Sequence, residues 1–378
     1  MGAQELSREV RAELRRWTRR FHPAGHLPAL PSHVAADPAG RKAGAVVEVF
    51  HPGSVRGGSV DPAAVAAMVD RGLAELIGAP GAIDAWRLLF ARGDVVGIKV
   101  NPVGRPLAIS SSALVSAVVE GLRSAGVQPR DIVVFDRFRR QLRAAGYLRD
   151  LPSGVRWDGP SEDWDRAQLD LDGYDRDVYC ELPITDPDAH DPHDERARRS
   201  HLCLLLSRHV DKVVNLPVLK DHGVAGVTLA LKNMSHGFFN NVARSHHARS
   251  ADACDRFIPA LCALPQVRRK VVLHILDATR AVFDGGPVAV PQTVWAHRTL
   301  YFATDPVALD LVGRAAIDAR RVAMDLTPVE RARAHGHAEA EPAVGPLRQP
   351  RHIELAAELG LGVADPDRIE LRRITVGE

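Results

Sequence analysis

A chain of 378 residues, 46% hydrophobic and 25% charged, has room for roughly two or three domains or for one large α/β domain with extensions. Its formal net charge of +2 gives no basic surplus of the kind a nucleic-acid surface needs, and no apolar run approaches the length of a membrane span. Cys180, Cys203, Cys254 and Cys262 are scattered with no Cys-x-x-Cys pair, which leaves no frame for a disulfide scaffold, a zinc ribbon or an iron–sulfur cluster and makes the cytoplasm the expected compartment.

In chain order, residues 3–20 read as an amphipathic helix with a solvated arginine face, and a Pro/Gly/His-rich linker runs to about residue 44. The pairs Arg15-Arg16 and Arg19-Arg20 are followed by no apolar core, so an export signal is not expected. A strand over 45–50 follows, then helical periodicity at 62–77. Residues 94–100, 111–125 and 131–135 read as strand, helix, strand, with Ser110–Ser112 supplying the N-cap and Gly126 the stop. The stretch 152–198, rich in Asp, Pro and Gly, predicts a long irregular insert with one strand near 178–182. A buried strand at 211–219 leads to a helix from about Val224, and another helix covers roughly 255–264. Strands follow at 270–276 and 299–303, and a helix starts at Pro306. The tail from about 320 is expected at the periphery, with a helix at 351–359 and a last strand at 368–376.

Short apolar runs alternating with helical segments predict an α/β fold: a mostly parallel sheet with flanking helices and right-handed crossovers. The expected organisation is an N-terminal helix and linker over 1–44, an α/β core over 45–318 and a peripheral segment over 319–378.

Only six of the 49 basic residues are lysines: Lys42, Lys99, Lys212, Lys220, Lys232 and Lys270. Where arginine serves as the general surface cation, the positions that keep lysine are enriched for sites where a planar, permanently charged guanidinium would not do. Three of them stand in site-like contexts: Gly97-Ile-Lys99-Val-Asn101, Pro217-Val-Leu-Lys220-Asp221-His222 and Leu231-Lys232-Asn233. In an open α/β sheet ligands gather beyond the carboxyl ends of the strands. If the strands are parallel, that rule predicts one rim bearing Lys99 with Asn101, Asp136, Lys220 with Asp221 and His222, Asp277, and Thr304 with Asp305.

On the helix expected from Val224, Thr228 and Lys232 fall on one line at i, i+4 spacing, away from the apolar stripe of Val224, Val227, Leu231, Met234 and Phe238. Its start would offer free N–H groups to an anion, and Gly223 and Gly226 would let backbone come close. Lys220, His222, Lys232 and Asp277 are therefore the candidate catalytic residues. Lys99, Asn101, Asp136, Thr228 and Asn233 are the candidate substrate-binding ones.

A divalent metal is one option, with Asp277, Asp305 and His222 as candidate ligands, although Asp305 before Pro306 also reads as ordinary helix-start chemistry. Asp284 reads either as a base or metal ligand, with Gly285 and Gly286 shaping the pocket rim, or as a turn residue, and Asp310 reads as a salt-bridge residue. No Gly-x-Gly-x-x-Gly follows a strand and no Walker loop appears, so neither NAD nor ATP has a motif to support it. No Gly-x-Ser-x-Gly elbow supports a serine hydrolase.

Several motifs recur together: Gly97-Ile-Lys-Val-Asn101, Asn215-Leu-Pro-Val-Leu-Lys220-Asp-His222, Thr228-Leu-Ala-Leu-Lys232-Asn233, Asp277 with Asp284-Gly-Gly-Pro287, and Thr304-Asp-Pro-Val-Ala-Leu-Asp310. In these the chain resembles the family catalogued as domain of unknown function 362, over roughly residues 94–315. The resemblance implies an α/β fold and no particular reaction. Some relatives append a Cys-rich ferredoxin-like module that this sequence does not show, so an electron-transfer role does not carry over. The Lys-plus-His arrangement is also similar, by analogy, to that of lactate-racemase-like proteins.

Two functions are open at this point. One is an enzyme for a small anionic or carbonyl-bearing metabolite, in which lysines neutralise charge, Asp277 or Asp136 acts as base or metal ligand, and His222 exchanges a proton. The other is a redox or ligand-binding accessory protein without acid–base chemistry of its own. The expected partner is a small-molecule substrate, with no nucleic acid, no membrane, and a homo-oligomer left open.

Overall fold

Runs such as Val95-Val-Gly-Ile98 and Ile132-Val-Val-Phe135 are apolar toward both sides and need cover on both faces. The fold supplies it with a ten-stranded sheet between two helical layers. The computed structural model describes residues 42–165, 168–249, 252–332, 348 and 350–377. The helix expected over 3–20, with its arginine pairs, lies outside the described residues.

The strands of the main sheet are β1 (Ala45–Phe50), β2 (Val96–Lys99), β3 (Ile132–Phe135), β4 (Arg156–Asp158) and β5 (Lys212–Asn215). They continue with β6 (Val218–His222), β7 (Gly226–Val227), β8 (Val271–Val282), β9 (Val294–Ala303) and β10 (Glu370–Thr375). Along the path β10-β1-β9-β8-β5-β2-β3-β4, every pair is parallel except the two that β9 makes. Off this path, β6 pairs parallel with β8 and antiparallel with β7. The mostly parallel α/β architecture is the one the alternating apolar runs predict.

Helices α1 (Pro62–Ile77), α2 (Ala82–Leu89) and α3 (Ser112–Ser124) cover one face, over Ile98, Val134, Val214, Ile275 and Phe302. Helices α4 (Leu229–Phe238), α5 (Ala253–Cys262), α6 (Pro306–Val322) and α7 (His352–Glu358) cover the other, over Phe135, Val213, Leu276 and Tyr301. Local chemistry starts them. The side chain of Asp61 accepts from Ala64 N, that of Ser111 from Leu114 N, and that of Asp305 from Val307 N and Ala308 N. Pro62 and Pro306 occupy first-turn positions that need no N–H.

Several expectations change. The run 211–219 is two strands, because Pro217 has no N–H to give a ladder; β5 stops at Asn215 and β6 restarts at Val218, opposite Asp277. The strand expected to end at 276 passes through Asp277 and runs on to Val282. The 299–303 strand is the carboxyl half of antiparallel β9, so Thr304 and Asp305 emerge at the amino rim, where Lys42 N donates to Thr304 Oγ1 and Gly44 N to Asp305 Oδ2.

The tail is not peripheral. β10 pairs with the otherwise open edge of β1, α7 packs on α5, and Arg348 makes a buried ion pair of 2.7 Å with Asp221. The 152–198 insert also holds more strand than expected: β4, and Tyr174–Glu181 paired antiparallel with Arg199–Cys203. Among the described residues no helix is long and apolar enough to cross a membrane.

Candidate active site

From β2 the chain runs outward to β3 and β4, then returns to lie on the other side of β2 as β5. Strand order reverses there, and crossovers leaving such a point in opposite directions open a crevice beyond the carboxyl ends. Here the crevice is a cavity of about 340 Å³, on the α4 side of the sheet. Lys99, Asn101, Asp136, Lys220, His222, Thr228, Lys232 and Asn233 line it. Asp277 and Asp305 do not.

Lys99 is the hub of the floor. Its ammonium donates to Val100 O (2.6 Å), Asp136 Oδ1 (2.6 Å) and Asn233 Oδ1 (3.1 Å), which occupies all three of its N–H groups. Gly237 in α4 makes room for it, since a Cβ there would fall on Lys99 Cε. Asn101 joins the two lysine positions. Its Oδ1 accepts from Lys220 Nζ (2.9 Å) and its Nδ2 donates to Asn233 Oδ1 (3.1 Å). Asn233 in turn donates to Asn215 Oδ1 (2.7 Å).

Lys220 is fully buried and also donates to Val103 O. Burial, and then the charge of Lys232, push its pKa down to about 7 against the pull of Asp136. Burial likewise pushes Lys232 down to about 8; Cys254 opposes the shift and the Arg137 charge adds to it. Unlike Lys99, Lys232 has neither a hydrogen-bond acceptor nor a carboxylate partner among the described residues, and Thr228 Oγ1, just before the helix, is also unpartnered there. Arg137 donates to Gln168 Oε1 (2.6 Å) and stacks over the Phe138 ring at 4.7 Å, with no carboxylate beside it among the described residues.

The helix start differs from expectation. Residues 223–225 form the β6–β7 turn, Gly226 (φ 78°) opens β7, and α4 begins only at Leu229. Leu229 enters at φ 36°, a left-handed conformation that costs a side-chain-bearing residue about 1–2 kcal/mol. Asp310 holds it there: its two carboxylate oxygens accept from Ala230 N (2.7 Å) and Leu231 N (2.9 Å). Those N–H groups are therefore taken by a protein carboxylate and are not free for a ligand anion. Asp310 is a cap, not a salt-bridge residue.

The histidines cluster at the wall. His236 sits between Ser235 Oγ (2.9 Å) and Ser245 Oγ (3.1 Å). Burial, with the Lys232 charge, holds it well below the usual imidazole range, so it is neutral at physiological pH. His246 packs against both His236 and His222, with ring centroids 5.0 and 5.1 Å apart. His222 Nδ1 accepts from Val224 N and Ala225 N (3.1 Å each), which leaves its proton on Nε2.

Asp277 faces the α3 layer. It lies within β8, where Oδ2 accepts from Ser111 N (2.8 Å) and Oδ1 from Thr279 N (3.0 Å) and Thr279 Oγ1 (2.6 Å). Its link to the cavity is indirect, through Ser110, whose hydroxyl accepts from Asn101 N (2.7 Å). Asp277→Asn is expected to lower stability by about 1–2 kcal/mol and to leave ligand binding at Lys232 intact, as read by thermal melts and titration. Lost binding at unchanged stability would return Asp277 to the site.

Asp305 caps α6 and also accepts from Gly44 N and Val363 N. Asp221 points away from Lys220 toward Arg348 and Gly286 N, and Asp284 pairs with Arg321 and Arg348. The candidate metal ligands Asp277, Asp305 and His222 thus stand in three different environments. Among the described residues no group of three or more His, Cys, Asp or Glu is placed to hold a metal ion. The four cysteines are buried free thiols.

Sequence reasoning misses Arg137, Trp164, Gln168 and Asn215. Asn215 closes an apolar run and Arg137 follows a strand-end Asp, so each carries a usable signal. Trp164 and Gln168 sit in the irregular insert, where no periodicity marks them. Chemically, the cavity wall presents three cations, Lys220, Lys232 and Arg137, against one carboxylate, Asp136, already paired with Lys99. Such a wall can hold an oxyanion and exchange a proton near neutral pH.

No curated protein matches the chain. Among solved structures it is similar to the lactate racemase apoprotein from Thermoanaerobacterium thermosaccharolyticum, at 12% identity and a TM-score of 0.37, over 72% of this chain and 56% of that one. It therefore spans little more than half the length of that neighbour. A family model described as domain of unknown function (DUF362) matches residues 96–315, more than half of the sequence, and the chain belongs to that family.

Proposed function

We propose that the protein is an enzyme for a small anionic, carbonyl-bearing metabolite, and that it moves a proton on the carbon beside the carbonyl. The unmatched charge in the cavity wall carries this reading. Lys232 lines the cavity with no counter-ion among the described residues, and Lys220 and Arg137 add to its charge. A buried, uncompensated cation is destabilising, and a ligand carboxylate relieves it. Thr228 Oγ1 and Lys232, which both line the cavity, offer a hydroxyl and an ammonium to its two oxygens. In a low-dielectric cavity the same charges stabilise an enolate.

Lys220 is the group suited to take the proton, because near neutral pH it is divided between amine and ammonium. Asp136, locked in its ion pair, and Asp277, on the other face, are given no such role.

Calorimetric titration with small 2-oxo acids tests the binding step. Affinity is expected at about pH 6.5, where both lysines carry charge, and is expected to fall away by about pH 9.5, where the folded protein has released both protons. In D2O, hydrogens beside the keto group should exchange faster than in buffer alone, and Lys220→Met should abolish the gain. Equal affinity at both pH values would remove Lys232 from binding. Binding without exchange would reduce the protein to the ligand-holding accessory.

A further inference from the structure

We propose that the mouth of the cavity is a second subsite, one that takes a planar apolar tail: an aryl or heteroaryl group of the substrate stacks on Trp164 while the anionic head lies at Lys232. This tail subsite presupposes the oxyanion reading of the head. Trp164 lines the cavity yet is 54% exposed, the sole aromatic among the exposed large hydrophobic side chains of the described residues. Leaving an indole face in water forgoes a large burial energy, and tryptophan is kept in such places where a ligand covers it.

Its position is built. The strap carrying it is bonded to the start of the helix Arg139–Ala144, through Arg139 N to Ser161 O (2.9 Å) and Arg140 N to Glu162 O (3.0 Å). Ion pairs Arg140–Asp163 and Arg143–Glu162 tie it again at the side-chain level. The bridge between Phe138 and Ser161 sets a second aromatic ring beside the strap, and Phe138 also lines the cavity. The indole is thus displayed on an anchored segment.

Size agrees. A cavity of about 340 Å³ lies in the size range of sites that take ligands larger than a three-carbon acid. The lysines and asparagines account for its floor, and Arg137 already covers the Phe138 ring; Trp164 is left for whatever extends beyond the head.

Propionate, 3-phenylpropionate and 3-cyclohexylpropionate share one head and differ in the tail. Calorimetry at about pH 6.5 should give 3-phenylpropionate roughly 10-fold the affinity of propionate, with the planar tail ahead of the cyclohexyl one. Its binding should also quench the exposed tryptophan emission. In Trp164→Ala the phenyl gain should collapse while propionate binds as before, and Trp164→Phe should keep most of it. Because Trp164 is half in solvent, these variants are expected to fold, and an unchanged propionate affinity reports that directly. A phenyl gain that survives Trp164→Ala, or propionate binding with no phenyl gain in the wild type, would overturn the tail subsite alone. If none of the three acids binds, the oxyanion reading falls and the tail subsite falls with it.

Discussion

Lys232→Met is expected to melt at a higher temperature than the wild type and to lose its binding of small acids. Both outcomes have one cause. Lys232 is a buried ammonium with no acceptor and no carboxylate among the described residues, and its pKa falls from 10.5 to about 8 on folding. The folded protein therefore binds that proton more weakly than the unfolded chain does. Unfolding takes up protons between about pH 8 and 10.5, so this residue makes stability rise with pH across that window. Below it the full penalty applies. Methionine has a similar length and no charge, so near neutral pH the substitution should return on the order of 1–3 kcal/mol. The rise in stability with pH should flatten at the same time, as a series of thermal melts from about pH 7 to about pH 10 would show. A gain in stability bought with a loss of binding is the signature of a charge kept for a ligand. If Lys232→Met is destabilised instead, the ammonium has a structural partner and the oxyanion reading loses its main support.

That trade-off explains why the site was half legible from the sequence. Scarce lysine pointed to Lys99, Lys220 and Lys232, because each sits where burial makes arginine and lysine unequal. Strand-end logic added Asn101 and Asp136, which follow parallel strands and line the cavity. It failed at Asp305 because β9 runs the other way, and strand direction is a property of pairing that a local apolar run does not encode. It failed at Asp277 because a strand has two faces: in β8 the residue turns toward Ser111 and α3, whereas the cavity lies under α4.

The division of labour among the lysines was not legible at all. Nothing in Gly-Ile-Lys-Val-Asn says that Lys99 will spend every N–H on Val100, Asp136 and Asn233, nor that Lys232 will have no acceptor among the described residues. Those roles depend on contacts that a local motif does not encode, across 37 positions to Asp136 and 134 to Asn233. The helix start at Leu229 was misplaced for a similar reason, since the carboxylate that fixes it, Asp310, lies 80 residues away.

Asp136→Asn is the counterpart test, and its expected stability effect is the largest. The change leaves Lys99 buried, still donating to Val100 O and Asn233 Oδ1 but without its carboxylate. Breaking one side of a buried pair should cost about 3–5 kcal/mol, against near-neutrality when both charges are removed. The double variant Lys99→Met/Asp136→Asn should therefore recover most of the loss, and denaturant melts of the three variants give the coupling directly.

Binding should move the other way. Asp136 is the cavity's negative charge, so its removal strengthens the field felt by an incoming acid, and small-acid affinity at about pH 6.5 should hold or rise. The same carboxylate supports the charged form of Lys220. Without it that lysine's pKa drops further below its present value of about 7, and the pH profile of proton exchange shifts to lower pH with activity retained. A general base at position 136 would behave differently: Asp136→Asn would abolish exchange at every pH instead of shifting its profile. That single comparison separates a carboxylate that positions a lysine from one that takes the proton itself.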